Sequence, residues 1–213
     1  MKTEDLINAL SRNVEPAERP RWRMNLAITL IVGLIAAVAL VTIGLGVRPD
    51  IGTARMPVMM KAMFSALAAA VILPVAVRLM KPGRPLGWRI GAVLLFVGVC
   101  AIATITALMG EMPEQRWQSW MGGQGSAPWC IVLIPILAVP AAALLTWFMR
   151  AFAPTRITLT GAAIGALSGG VSAMAYAMYC PTDSVAFVTT WYTLAIAVCA
   201  ALGALVGSKF LRW

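Results

Sequence analysis

No histidine occurs anywhere in this chain, only 12% of its residues are charged, and every Asp and Glu falls in a tail or a loop between apolar runs. Proton pumps and ion-coupled transporters need ionisable groups inside their spans, and hydrolases need a nucleophile paired with a base or a metal-bound water. Neither set is present, so no catalytic residue is assigned and an enzyme is not expected. The four cysteines contain no C-x-x-C, the spacing that serves most thiol oxidoreductases. Long polar stretches are missing as well. Apolar residues make up 61% of the chain, more than a water-soluble globule of 213 residues can hide.

What is there is six apolar runs, approximately Leu26 to Val47, Met56 to Leu79, Trp88 to Met109, Ala127 to Phe148, Ile157 to Met178 and Ala186 to Phe210. Each reaches the roughly 20 residues needed to cross a hydrocarbon core of about 30 Å. A spanning backbone must satisfy its own hydrogen bonds, and barrel strands would be about half as long, so these runs are helices. The expectation is an all-α integral membrane protein: a six-helix transmembrane bundle over residues 26–213, preceded by a tail over residues 1–25.

Thirteen of the 17 Lys and Arg lie on the N-terminal side of such a bundle, leaving Arg48, Arg55, Lys61 and Arg116 opposite. Basic residues resist translocation, so both termini are expected in the cytoplasm. The formal charge of +9 then belongs to juxtamembrane residues facing anionic headgroups. Membrane lipids are the implied partners, and direct nucleic-acid binding is not expected. Lys61, the deepest charge, reads as a side chain snorkelling to water from about one turn inside its helix.

Gly161, Gly165, Gly169, Ala173 and Ala177 recur every four residues and set a stripe of small side chains on the fifth run. In lipid, such stripes let a neighbouring helix approach closely, and Gly203 and Gly207 of the sixth run offer a partner. Pro74, Pro135 and Pro140 lie inside runs, where each removes a backbone hydrogen bond.

Cys100 and Cys199 fall mid-span, where a thiol packs as a small hydrophobe. Cys130 begins the fourth run and Cys180 ends the fifth, so an antiparallel hairpin brings both to the outer membrane face. Three readings stay open there: a disulfide, a soft cation held by two thiolates with Met178, Met174 or Met121 as weak extra ligands, or two unrelated thiols. No resident cofactor is implied; a soft metal ion enters only as a signal. In the tail, Thr3 can cap a short helix whose Glu4 and Asp5 complement its positive end and whose Leu6, Ile7 and Leu10 share one apolar face. That helix is too short to stand alone in water, and three readings stay open: it lies on the bilayer, frays as a free terminus, or binds a partner.

The acidic-capped Leu-Ile tail, six spans, Trp129-Cys130, Cys180-Pro181, the Ala153-Pro154 turn, the glycine stripe, Trp191-Tyr192 and the closing Leu211-Arg212-Trp213 together resemble the NrsF-type membrane anti-sigma factors, negative regulators of sigma F. The resemblance covers nearly the whole chain. It implies a bacterial inner-membrane protein that holds an extracytoplasmic-function sigma factor inactive and releases it under heavy-metal or oxidative stress. It also implies sensing by Cys130 and Cys180 and sigma binding by a tail containing Asp5, Leu6, Ile7 and Leu10. A membrane thiol oxidoreductase passing electrons to quinone is the alternative.

Overall fold

The computed structural model describes residues 21–81, 85–123, 127–152 and 154–210. The tail residues Asp5, Leu6, Ile7 and Leu10 lie outside the described residues. Among those described, the chain is helical throughout, with seven helices: α1 Trp22–Leu45, α2 Arg55–Leu79, α3 Trp88–Met109, α4 Pro113–Met121, α5 Ala127–Arg150, α6 Ile157–Tyr176 and α7 Val185–Phe210. All but α4 are long and apolar enough to cross a membrane. The helices match the apolar runs closely, with α1 starting about a turn earlier, at Trp22.

The bundle is organised around α6, which is buried along nearly its whole length and packs against α1, α2, α5 and α7. By contrast α3 sits at the edge and buries only Cys100. Composition explains the difference, since α6 is small on every face and backbones can close in from several sides. A Cβ at Gly161 would strike the Gly203 carbonyl and come 3.0 Å from Gly207 Cα; one at Gly165 would strike the Cys199 carbonyl and come 3.1 Å from Gly203 Cα. Gly169 faces Cys199 in the same way, and on another face Gly170 leaves room for Ala69 of α2. Each interior glycine costs a helix about 1 kcal/mol relative to alanine, an expense that close dispersion contact offsets where lipid supplies no hydrophobic drive.

Helix α4 was not expected from the sequence, which reads there as a loop. It starts with Pro113 at its first position, carries Glu114 in its first turn and stops at Gly122, whose φ of 76° is the left-handed conformation glycine adopts freely. Two wide π-helical turns occur in the long helices: Val41–Leu45 ends α1 and Val188–Tyr192 interrupts α7. The second lets neighbouring residues face different partners. Trp191 donates its indole N–H to the Trp120 carbonyl of α4 at 2.7 Å, while Tyr192 is wholly buried in the bundle. Pro74 lies inside α2, and Pro135 and Pro140 inside α5.

Candidate functional site: a buried cysteine pair under an ionic latch

Alternation of the helices gathers Arg78, Arg89, Arg150, Arg156 and Lys209 at one end of the bundle and the cysteine pair at the other. Cys130 sits in the first turns of α5. Cys180 follows α6, after a tight turn in which its amide donates to the Tyr176 carbonyl at 3.1 Å. The two sulfurs lie close enough to influence each other, and the Cys130 thiol donates to the Tyr176 hydroxyl at 3.5 Å. Both cysteines are wholly buried, with Phe187, Tyr176 and Tyr192 in the same cluster and Met121 and Met178 packed against it. An interfacial position therefore does not mean an exposed one here. The Tyr192 hydroxyl is buried without a well-formed hydrogen bond, near enough to Cys180 for a weak one.

Above the pair lies a set of charges that links three segments. Lys61 of α2 is buried and donates from Nζ to the Cys180 carbonyl at 2.7 Å, the Thr182 carbonyl at 3.1 Å and Asp183 Oδ1 at 2.7 Å. Arg48, in the loop after α1, is also buried. Its guanidinium donates to Asp50 Oδ1 and Oδ2, each at 2.7 Å, to Asp183 Oδ1 at 2.9 Å and to the Cys180 carbonyl at 3.2 Å. The Arg48 amide adds a bond to the Met178 carbonyl at 3.1 Å. Two cations thus share one carbonyl and one carboxylate, and the α6–α7 loop is tied to both α2 and the loop before it.

The snorkelling expected of Lys61 is overturned by this geometry. Its ammonium turns toward the α6–α7 loop because three acceptors converge there, replacing its hydration shell without exposing the chain to water. Burial works against ionisation of Asp183, but hydrogen bonds from Arg48 and Lys61 outweigh it and hold the carboxyl below its ordinary pKa. The Arg48 guanidinium does the same for Asp50. For Cys180, the neighbouring Cys130 thiol lowers the thiol pKa below its ordinary value; burial opposes that change and the Lys61 ammonium assists it. Two adjacent thiols, one of them made more acidic by its surroundings, are the arrangement from which disulfides form and soft cations are captured. Among the described residues no three His, Cys, Asp or Glu side chains gather as a metal cage, so any bound ion would rest on the two sulfurs and weak neighbours.

A family model described as negative regulator of sigma F matches residues 10–213. The chain belongs to the NrsF family. It is 36% identical over 216 residues to the probable anti-sigma-F factor NrsF of Azospira oryzae, covering 100% of both chains. It is 35% identical over 217 residues to the anti-sigma-F factor NrsF of Caulobacter vibrioides, again with 100% of both covered. No solved structure matches.

In this NrsF family member the structure brings Cys130 and Cys180 together, and it sets Gly161, Gly165 and Gly169 of α6 against α7. Sequence reasoning missed Arg48, Lys61, Asp183, Tyr176 and Tyr192. One signal for Lys61 was available, since an ionisable residue within a span marks a functional site more often than not. For Tyr176 no sequence signal existed, because only the folded hairpin brings it to the sulfurs, and Tyr192 stood out only within the Trp191-Tyr192 pair.

Proposed function

We propose that the chain is a membrane-embedded anti-sigma factor that sequesters an extracytoplasmic-function sigma factor at its basic, cytoplasm-facing end and releases it when the Cys130–Cys180 pair meets a heavy metal or an oxidant. The observation that carries this reading is the likeness, over the full length of both chains, to two anti-sigma-F factors. The orientation rests on the Lys and Arg asymmetry, with the chain in a bacterial inner membrane. Binding of sigma falls to the tail, where Leu6, Ile7 and Leu10 supply an apolar face and Asp5 supports the helix start.

The geometry supports a sensing role for the pair. Closing an S–S bond takes two protons and two electrons from the thiols and delivers them to the oxidant; capture of a soft cation takes protons alone. Either event moves Cys180 relative to Cys130, and thereby α6 relative to α5, the helices that run to Arg156 and Arg150 at the other end. Turning a sequestered fraction of about 99:1 into 1:99 takes roughly 5.5 kcal/mol of differential stability. A disulfide supplies about 2–4 kcal/mol, and movement of the ionic latch can add to it.

The test is copurification. Tagged protein solubilised from untreated membranes should carry the sigma factor and lose it after treatment with a thiol oxidant or cadmium. Cys130→Ser and Cys180→Ser should each block the loss. Sigma that never copurifies overturns the anti-sigma reading, whereas sigma released equally from both cysteine variants overturns only the sensor. Oxidation of added thiols by quinone and purified protein would favour the oxidoreductase instead.

A further inference from the structure

At the end remote from the cysteines, α5 and α7 part over the glycine face of α6 and leave a groove of about 560 Å³. Its floor is made by Gly161, Gly165 and Ile164, residues too small or too deeply packed to fill it. Small residues also line its walls, Ala142 and Ala143 on one side, Gly203 and Gly207 on the other. Along its length the groove changes character in a definite order. Exposed Val139 and Val206 come first, then the exposed rings of Trp147 and Phe210, then Arg150.

We infer that this groove holds one acyl chain of an anionic phospholipid, with the phosphate on Arg150. Three observations carry the assignment. The first is length. From Pro135 to Arg150 the α5 wall runs for about 22 Å at 1.5 Å per residue. A single leaflet of a 30 Å hydrocarbon core is about 15 Å deep, so the groove takes a whole chain from the Arg150 side and ends beyond the midplane.

The second is the sequence of chemistries. Aliphatic rim, aromatic residues at headgroup level and a terminal cation reproduce the order that a phospholipid presents from tail to phosphate. The third is charge. Arg150 gives Nε and Nη2 to the Phe210 carbonyl, and its Nη1 has no partner among the described residues. Every acid among the described residues, Asp50, Glu111, Glu114 and Asp183, belongs to the opposite end of the bundle, while Arg156 at the start of α6 and Lys209 in the last turn of α7 belong to the same end as Arg150. A guanidinium with a spare donor and no counter-ion among the described residues, at a bilayer surface, is suited to a phosphate.

The experiment is lipid retention measured by native mass spectrometry on full-length protein released from nanodiscs of equal phosphatidylglycerol and phosphatidylcholine with matched acyl chains. Wild type should retain one phosphatidylglycerol in preference to phosphatidylcholine by about tenfold, near 1.4 kcal/mol. Arg150→Gln should bring the two lipids to near-equal retention. Ala143→Phe, placed on the exposed wall, should lower retention of both while the Arg150 end stays intact. Equal retention of the two lipids by wild type, an unchanged preference in Arg150→Gln, or an unchanged lipid load in Ala143→Phe each overturns the assignment. A dimer mass lost in Ala143→Phe would also overturn it, by showing the groove to be filled by a second copy.

Discussion

Removing the charge of Asp183 should harm the protein more than removing Lys61 does, and removing both should harm it less than removing Asp183 alone. In Asp183→Asn the side chain keeps its shape and can still accept from Nζ, so what is lost is the counter-charge of an ammonium that is 3% exposed. Breaking a buried pair from one side costs about 3–5 kcal/mol, since the surviving charge stays desolvated. Because a third of the Asp183 side chain reaches water, the lower end, about 3 kcal/mol, is the appropriate figure.

Lys61→Met strands less. Asp183 and the Cys180 carbonyl keep Arg48 at 2.9 and 3.2 Å, and the Thr182 carbonyl loses its bond from the ammonium, at about 1–2 kcal/mol. The double variant removes the stranded cation and should recover most of the Asp183→Asn loss. Thermal midpoints in mild detergent, followed by size-exclusion chromatography of the protein that survives heating, read the difference. For a chain of this size each kcal/mol moves the midpoint by about 2–4 °C, so Asp183→Asn should fall by roughly 6–12 °C. Additive losses in the double variant, or a larger fall for Lys61→Met, would refute the argument that a buried charge pair closes this end of the bundle.

Packing offers a contrast between two glycines. Gly165→Ala drives a methyl group into the Cys199 backbone and should cost about 1–3 kcal/mol by the same assay, whereas Gly98→Ala on α3, with nothing within 4 Å, should be neutral or slightly stabilising. Acidification gives a third expectation. Asp183 and Asp50 both sit below the ordinary value of 3.8, so their contribution is complete above that pH and is lost as pH falls through the lower folded values. The midpoint should hold steady down to about 3.8 and drop beneath it, with a smaller drop in Asp183→Asn; a decline beginning near neutrality would contradict this. Finally, a bulky maleimide should label Cys130 and Cys180 slowly in native membranes, quickly after denaturation, and at an intermediate rate in Asp183→Asn. Rapid labelling of wild type would mean that the pair is open.

Much of the helical plan was legible because a bilayer leaves a chain few alternatives. Twenty apolar residues in a row have one way to satisfy their backbone in lipid, so the ends of α2 and α3 could be read within a residue or so from composition alone. The fourfold spacing of Gly161, Gly165 and Gly169 was legible for a related reason, as helix periodicity turns a sequence interval into a face. What resisted reading was whatever depended on weak or local signals. Helix α4 is nine residues of mixed polarity, and its Pro113 start and Gly122 stop are equally at home in a loop. The π-helical turn at Val188–Tyr192 leaves no compositional mark, although it is what sends Trp191 toward α4 and Tyr192 into the core.

The site divides along the same line. That Cys130 and Cys180 meet follows from connectivity, since consecutive helices joined by a short turn are antiparallel neighbours and residues at matched depth face each other. Their burial and their charged lid do not follow from connectivity. Arg48 and Asp183 are 135 residues apart, and Lys61 and Cys180 are 119 apart, in segments that become neighbours only because α6 is narrow enough for α1 and α2 to close on it. Solvation gave the misleading signal. A lysine within two turns of a helix end ordinarily gains most by reaching water, at little cost to its flexible stem. Here the turn after Tyr176 presents the Cys180 and Thr182 carbonyls and the Asp183 carboxylate inward, and three acceptors with a counter-charge compete successfully with water. Gly170 and the buried lysine are therefore linked: bulk at that position of α6 would press on Ala69 and hold α2 away from the α6–α7 loop, and Lys61 would have only solvent to turn to.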